Sequence, residues 1–287
     1  MSPDEYIQQH LTLQGLEPFL VATSYNRVNF NLNPYGLSIK QEYLIDPTHS
    51  ASERFCDLLL ALDSTTFGPE GMPMDKWVFY DICYMPGAVF GFGIQAQQAP
   101  QELLDLFKVD AQENVLIPLS MYGAIPMTQR DAWMGHNLCS IGSKLKFRNF
   151  KGLGTLSKAL GLKVVQAKEF YGATQWSSVA LNVHIKFGPL KLYTSYTPAH
   201  SESHTLTYGF SCTDHALLAA MGHPDYDFER PAPEQWITPN DQEAMITLQD
   251  QIEAGEHFCI PSAPQSHPDH KHQVPIASLA SKLFTHL

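Results

Sequence analysis

Seven of the 18 lysines and arginines in this chain fall between residues 144 and 168: Lys144, Lys146, Arg148, Lys151, Lys158, Lys163 and Lys168. No acid lies among them. Gly152 and Gly154 sit inside this basic stretch, just ahead of a run from Thr155 to Lys168 that reads as a helix. A glycine turn feeding a helix leaves the first backbone N–H groups unpaired, and the helix dipole adds partial positive charge there. Phosphate and pyrophosphate are the usual occupants of such a place. Glycine serves this chemistry because a side chain would hold the ligand away from the backbone. The same residues also fit a plain turn before a helix with a solvated basic face. Neither GxxxxGK[ST] nor a complete GxGxxG is present.

Other clusters carry less chemistry. His200 and His204 form an HxxxH, a zinc spacing on a helix, but "TPAHSESHTLTY" reads as a loop entering a strand. "HPDHKH" (267–272) gathers three histidines in a proline-rich loop. There is no HExxH and no GxSxG, and no metal site is expected. The five cysteines, Cys56, Cys83, Cys139, Cys212 and Cys259, are scattered without a CxxC. They read as free thiols in a reducing compartment, pointing to the cytoplasm.

These groups must be positioned by a mixture of strands and helices. "FLVATSYNRVNFNL" (19–32) and "PYGLSIKQEYLI" (34–45) are rich in β-formers and read as strands. In "DPTHSASERFCDLLLALDSTTFG" (46–68) the period changes: Phe55, Leu58, Leu59 and Leu62 predict a helix, with Ser50 or Ser52 as its cap and Gly68 past its end. "KWVFYDICYMPGAVFGFGIQ" (76–95) reads as two strands joined at Pro86-Gly87. "QELLDLF" (101–107) is a short helix, and "VLIPLSMYGAIPM" (115–127) and "HNLCSI" (136–141) are strands. Beyond the glycines come the helix, a strand "EFYGATQW" (169–176), a short helix "SSVALNVHIKFG" (177–188) and a strand "LKLYTSYT" (190–197). "TPNDQEAMITLQDQIEAG" (238–255) predicts a helix capped by Thr238, and "IASLASKLF" (276–284) a closing amphipathic helix. The texture changes after Pro198. Residues 1–200 are therefore expected as one domain, with 201–287 as a C-terminal extension packing on it.

The chain of 287 residues is long enough for a substantial core. Its net charge of −11 argues against nucleic acid as a partner and offers no attraction to an anionic membrane. No run approaches about 18 apolar residues, and the amino end lacks a signal-peptide pattern.

Taken in order, "HNLCSI", "NFKGLG", the following helix, "EFYGATQW" and "SSVALNVHIKFGP" resemble the GNAT family of N-acyltransferases over about residues 50–197. In that family a strand leads to a [QR]xxGx[GA] loop, a helix, a strand and an NxxAxxLYxxxGF helix. Ser177 stands at the Asn position, Ala180 at Ala, Val183 at Leu, His184 at Tyr and Gly188 at Gly. Asn149 replaces the usual Gln or Arg, and Pro189 the usual Phe. The upstream "WVFYDICYMPGAVFGFG" is similar to the family's central hairpin.

The resemblance implies a mixed α/β fold with a central mixed sheet flanked by helices. It implies acyl transfer from acetyl-coenzyme A, or another acyl-coenzyme A, to a small amine. Lys151, Gly152, Leu153, Gly154, Thr155 and Ser177 would hold the coenzyme. His184 would protonate the departing thiolate, with Tyr196 or Tyr193 as alternative acids. His184 also fits a helix-face histidine bonded within the fold. Two other readings stand beside this one. A decarboxylase similar to acetoacetate decarboxylase would use Lys158 or Lys163 as a Schiff base. A non-catalytic domain would keep the anion loop and lack the chemistry. No oligomeric state can be read from the residues.

Overall fold

A computed structural model describes residues 2–70, 73–141, 152–266 and 272–279. The chain is mixed α/β, as expected, and divides into two compact units, residues 1–167 and 168–287. The division falls after Ala167 and not near residue 200, because the strands either side of residue 200 pair with each other.

The first unit contains α1 (Pro3–Gln14), β1 (Glu17–Val21), β2 (Leu44–Ile45), α2 (Glu53–Phe67), α3 (Lys76–Tyr84), β3 (Ala88–Gln95), α4 (Gln101–Phe107), β4 (Leu116–Pro126), β5 (Ala132–Ser140) and α5 (Leu153–Val164). Its strands run in the order β2-β1-β3-β4-β5. The β1–β2 pair is parallel and the others are antiparallel, so this sheet is mixed. α5 packs on β3, β4 and β5, and α2 on β4 and β5. α5 is buried nearly all round (Ser157, Lys158, Ala159, Leu160, Gly161 and Leu162 are all buried), as a helix pressed into a core must be.

The second unit contains β6 (Glu169–Gln175), α6 (Leu181–His184), β7 (Leu190–Thr194), β8 (Thr205–Ser211), α7 (Asp214–Ala220), β9 (Gln235–Ile237), α8 (Gln242–Glu253), β10 (Phe258–Ile260) and β11 (Val274–Ser278). These strands follow the order β6-β8-β7-β10-β11-β9, and every described pair is antiparallel. Among the described residues, no helix is long and apolar enough to cross a membrane.

Several sequence expectations are corrected. Lys76–Tyr84 is a helix, not the first arm of a hairpin: Phe79, Ile82 and Cys83 recur at helical spacing and are buried. The strand expected over 19–32 ends at Val21, and that over 34–45 shrinks to Leu44–Ile45. Short 3₁₀ turns take up Arg27–Asn29, Pro34–Gly36 and Gln41–Tyr43. α8 is capped by Asp241, whose carboxylate accepts the Ala244 N–H at 3.0 Å, and not by Thr238. Val274–Ser278 is a strand paired with β10 and β9, so the closing helix does not begin at Ile276. Its expected remainder, from residue 280, lies outside the described residues.

Candidate functional site

Gly152 is the N-cap of α5, with φ +86°, a left-handed conformation that favours glycine. The first helical hydrogen bond runs from the Leu156 N–H to the Gly152 carbonyl at 2.9 Å. The N–H groups of Leu153, Gly154 and Thr155 therefore precede the helical ladder. Gly152 is exposed, Gly154 half-buried, and Leu153 and Thr155 are buried. No acidic residue occupies the first turn to oppose an anion. A Cβ on Gly154 would lie 3.6 Å from Ser140 Cβ and 3.8 Å from Leu138 Cδ1, so a larger side chain would press toward β5. Lys151 lies outside the described residues.

One polar link ties α5 to the sheet, and a second ties α2 to β5 beside it. Ser157 and Ser120 share a hydrogen bond of 2.7 Å between buried hydroxyls, joining α5 to β4. Asp63, fully buried on α2, accepts from Asn137 Nδ2 at 2.6 Å, from the Met74 N–H at 2.5 Å and from Cys139 Sγ at 3.6 Å. Asn137 and Cys139 belong to β5, the strand that leads toward the glycines. The buried carboxylate is thus satisfied by three donors.

The remaining expected site residues lie in the second unit. Ser177 is exposed in the turn after β6. His184, 8% exposed at the end of α6, packs its ring 5.1 Å from that of Tyr208. Tyr196 is half-buried. Its hydroxyl accepts from Gln242 Nε2 at 3.1 Å, and its ring centre lies 6.3 Å from that of His204. The neighbours named here differ: Tyr208 beside His184, and Gln242 and His204 beside Tyr196. Of the lysines considered for Schiff-base chemistry, Lys158 is fully buried, which closes it to a carbonyl substrate. The Lys163 ammonium sits 4.9 Å from the Tyr35 ring centre.

The second unit also carries a concavity of about 210 Å³ that sequence reasoning missed. Its polar lining comes chiefly from Glu169 on β6, Lys191 and Tyr193 on β7, and Ser211 on β8. Pairing explains the convergence: Glu169 stands opposite Ser211, and Lys191 opposite Gly209. Ser211 Oγ donates to Glu169 Oε1 at 2.9 Å. The Lys191 ammonium lies 5.0 Å from the Tyr193 ring centre. Burial lowers the Lys191 pKa, against the opposing pull of Glu169. Burial, assisted by Tyr171, raises that of Tyr193 well above the usual phenol range. The Cys259 thiol at the same cavity is pushed up to about 12 by burial, so it stays protonated and inert. The only sequence signal for this site was strand alternation, which puts Glu169 with Tyr171, Lys191 with Tyr193 and Gly209 with Ser211 on common faces.

Among the described residues, no group of three or more histidine, cysteine, aspartate or glutamate side chains is arranged to hold a metal ion. "HPDHKH" falls mostly outside the described residues.

No protein-family model matches the chain, and no curated protein matches it. Among solved structures it is similar to aminoglycoside 6'-acetyltransferase type Ii, with 11% identity over 57% of this chain and 95% of that one and a TM-score of 0.39. It is similar to the NatC complex bound to Gag peptide and CoA, at 12% identity, covering 58% and 96%, with a TM-score of 0.40. It is also similar to the aminoglycoside 6'-N-acetyltransferase from Enterococcus faecium, at 13% identity, covering 57% and 94%, with a TM-score of 0.36. Other solved structures similar to the chain include further acetyltransferases, among them members of the GNAT family.

Proposed function

We propose that the protein is an acyl-coenzyme A-dependent N-acyltransferase acting on a small amine. One observation carries the reading: the amino end of α5 begins at a left-handed glycine, and no acid lies in its first turn. That arrangement suits pyrophosphate oxygens, which the N–H groups of Leu153, Gly154 and Thr155 would meet. Lys151 and Ser177 are assigned as further contacts to the coenzyme from their place in the motif.

In the reaction, the amine nitrogen attacks the thioester carbonyl carbon. The C–N bond forms, the C–S bond breaks, and the nitrogen gives up one proton. The thiolate takes up a proton and leaves as the free thiol. His184 is assigned as the donor of that proton, because an imidazole changes protonation near neutrality. Tyr196 is the alternative donor. Its phenol already sits in a hydrogen bond with Gln242, which would orient it.

The test is calorimetric titration of coenzyme A and acetyl-coenzyme A into the wild type and Gly154→Asp. An acid in the first turn complements the helix dipole, which opposes the crowding of its side chain against β5, and circular dichroism checks that the variant is folded. Its carboxylate should nonetheless repel the phosphates and abolish binding. A wild type that binds neither molecule, or a folded variant that binds both as well as the wild type does, overturns the reading. Release of free thiol in the presence of candidate amines then separates an enzyme from a domain that binds without turnover.

A further inference from the structure

The cavity of the second unit holds charges of both signs on a half-buried wall. Lys191 and Glu169 contribute them, and Gly209, on the strand between, adds no side chain to the gap. The glycine is required there: a Cβ would lie 2.8 Å from Tyr193 Cε2 and 2.6 Å from the Phe170 carbonyl. Phe187, Pro189 and Phe228 add apolar lining to the same cavity. Gly188, at φ +116°, lets the turn pass the Phe228 ring, which a Cβ would approach to 3.0 Å. His215, also in the lining, is engaged through Nε2 with the Asp227 carbonyl at 2.6 Å.

A simple anion placed against Lys191 would share the cavity with the Glu169 carboxylate. A simple amine would share it with the Lys191 ammonium. A molecule bearing both charges at one end offers a counter-charge to each residue, and an apolar body suits the phenylalanine and proline lining. We propose that this cavity binds a small α-amino acid with an apolar side chain, its carboxylate paired with Lys191 and its ammonium with Glu169. Ser211, which donates to Glu169, holds that carboxylate in place. Burial of Lys191 strengthens the pairing, because the interaction is less screened than at an open surface. The site lies entirely within residues 168–287 and needs no acyl donor, so it stands independently of the acyltransferase reading.

The experiment titrates L-phenylalanine and L-leucine into the full-length protein, followed by amide chemical shifts. N-acetyl-L-phenylalanine lacks the ammonium and L-phenylalaninamide lacks the carboxylate. Each derivative is expected to bind about tenfold or more weakly than L-phenylalanine, the usual scale of a lost charge-assisted contact. Lys191→Met should weaken the amino acid by a similar factor and leave the amide almost unaffected. Glu169→Gln should do the same for the N-acetyl compound. The derivative series on the wild type needs no variant to fold. Absence of shifts at millimolar amino acid, or equal affinity for all compounds of the series, overturns the proposal.

Discussion

The hydroxyl oxygens of Ser120 on β4 and Ser157 on α5 lie 2.7 Å apart, and neither residue is exposed to solvent. Each is the other's partner across the interface of helix and sheet. Ser157→Ala should strand the Ser120 hydroxyl and cost about 1–3 kcal/mol. The double variant with Ser120→Ala removes both polar groups and should recover part of that loss. Urea unfolding of the four proteins measures the coupling. Additive losses would mean the two hydroxyls act separately.

Two glycines of one helix should respond in opposite ways to alanine. Within helices alanine is favoured over glycine by about 1 kcal/mol. At Gly154 a new Cβ makes only ordinary contact with Ser140, so Gly154→Ala should be neutral or stabilising. At Gly161 it would come within 2.8 Å of Tyr122 Cδ1 and 3.3 Å of Phe90 Cβ, both on buried residues. Overpacking there should cost about 1–3 kcal/mol and outweigh the gain in propensity. Thermal melts read the sign directly.

Asp46 should make stability depend on acid pH. Burial alone would raise its pKa. Hydrogen bonds from the Thr48 hydroxyl and N–H and from the Ser24 N–H prevail and hold it down to about 2. A folded-state value below the ordinary 3.8 means that the carboxylate stabilises the fold fully above about pH 4. That contribution, roughly 2 kcal/mol, fades as pH falls toward 2. Asp46→Asn should therefore be less stable than the wild type at pH 6 and close to it at pH 2. A constant difference across that range would refute the assignment.

His184→Phe should preserve the ring packing on Tyr208 and the affinity for acyl-coenzyme A. If the imidazole supplies the proton, kcat should drop by about 10²–10⁴-fold. His184→Tyr should retain more activity than Phe and shift the descending limb of the pH profile upward, because a phenol releases its proton at higher pH. Wild-type rates in both variants would identify a packing residue, and Tyr196 would be tested next.

Periodicity was legible where one face of an element meets the core. α2 emerged from Phe55, Leu58, Leu59 and Leu62 because these apolar residues are all buried on one face. α3 was misread because "KWVFYDICY" is full of aromatic and β-branched residues, which favour strands when considered one at a time. Its buried face is Phe79, Ile82 and Cys83, while Trp77, Tyr80 and Tyr84 remain exposed, so apolar residues on both sides obscured the helical stripe. Val274–Ser278 was misread for a related reason: Val274, Ile276 and Ala277 are all buried, leaving no polar alternation to mark a strand. The glycine start of α5 was visible because its chemistry is contiguous in the chain. The cavity was not, because Glu169, Lys191 and Ser211 come together only through the pairing of three strands.

The left-handed Gly152 makes the start of α5 a question of chirality and not of size. Among the described residues, a Cβ built there meets nothing within 4 Å. Bulk is therefore not what excludes a side chain. An L-alanine would bear the conformational cost of about 1–2 kcal/mol. A D-alanine introduced by semisynthesis would sit in its own preferred region, lose less freedom on folding than glycine, and gain about 0.4–1 kcal/mol. One methyl group, in its two mirror-image placements, should move the unfolding midpoint in opposite directions.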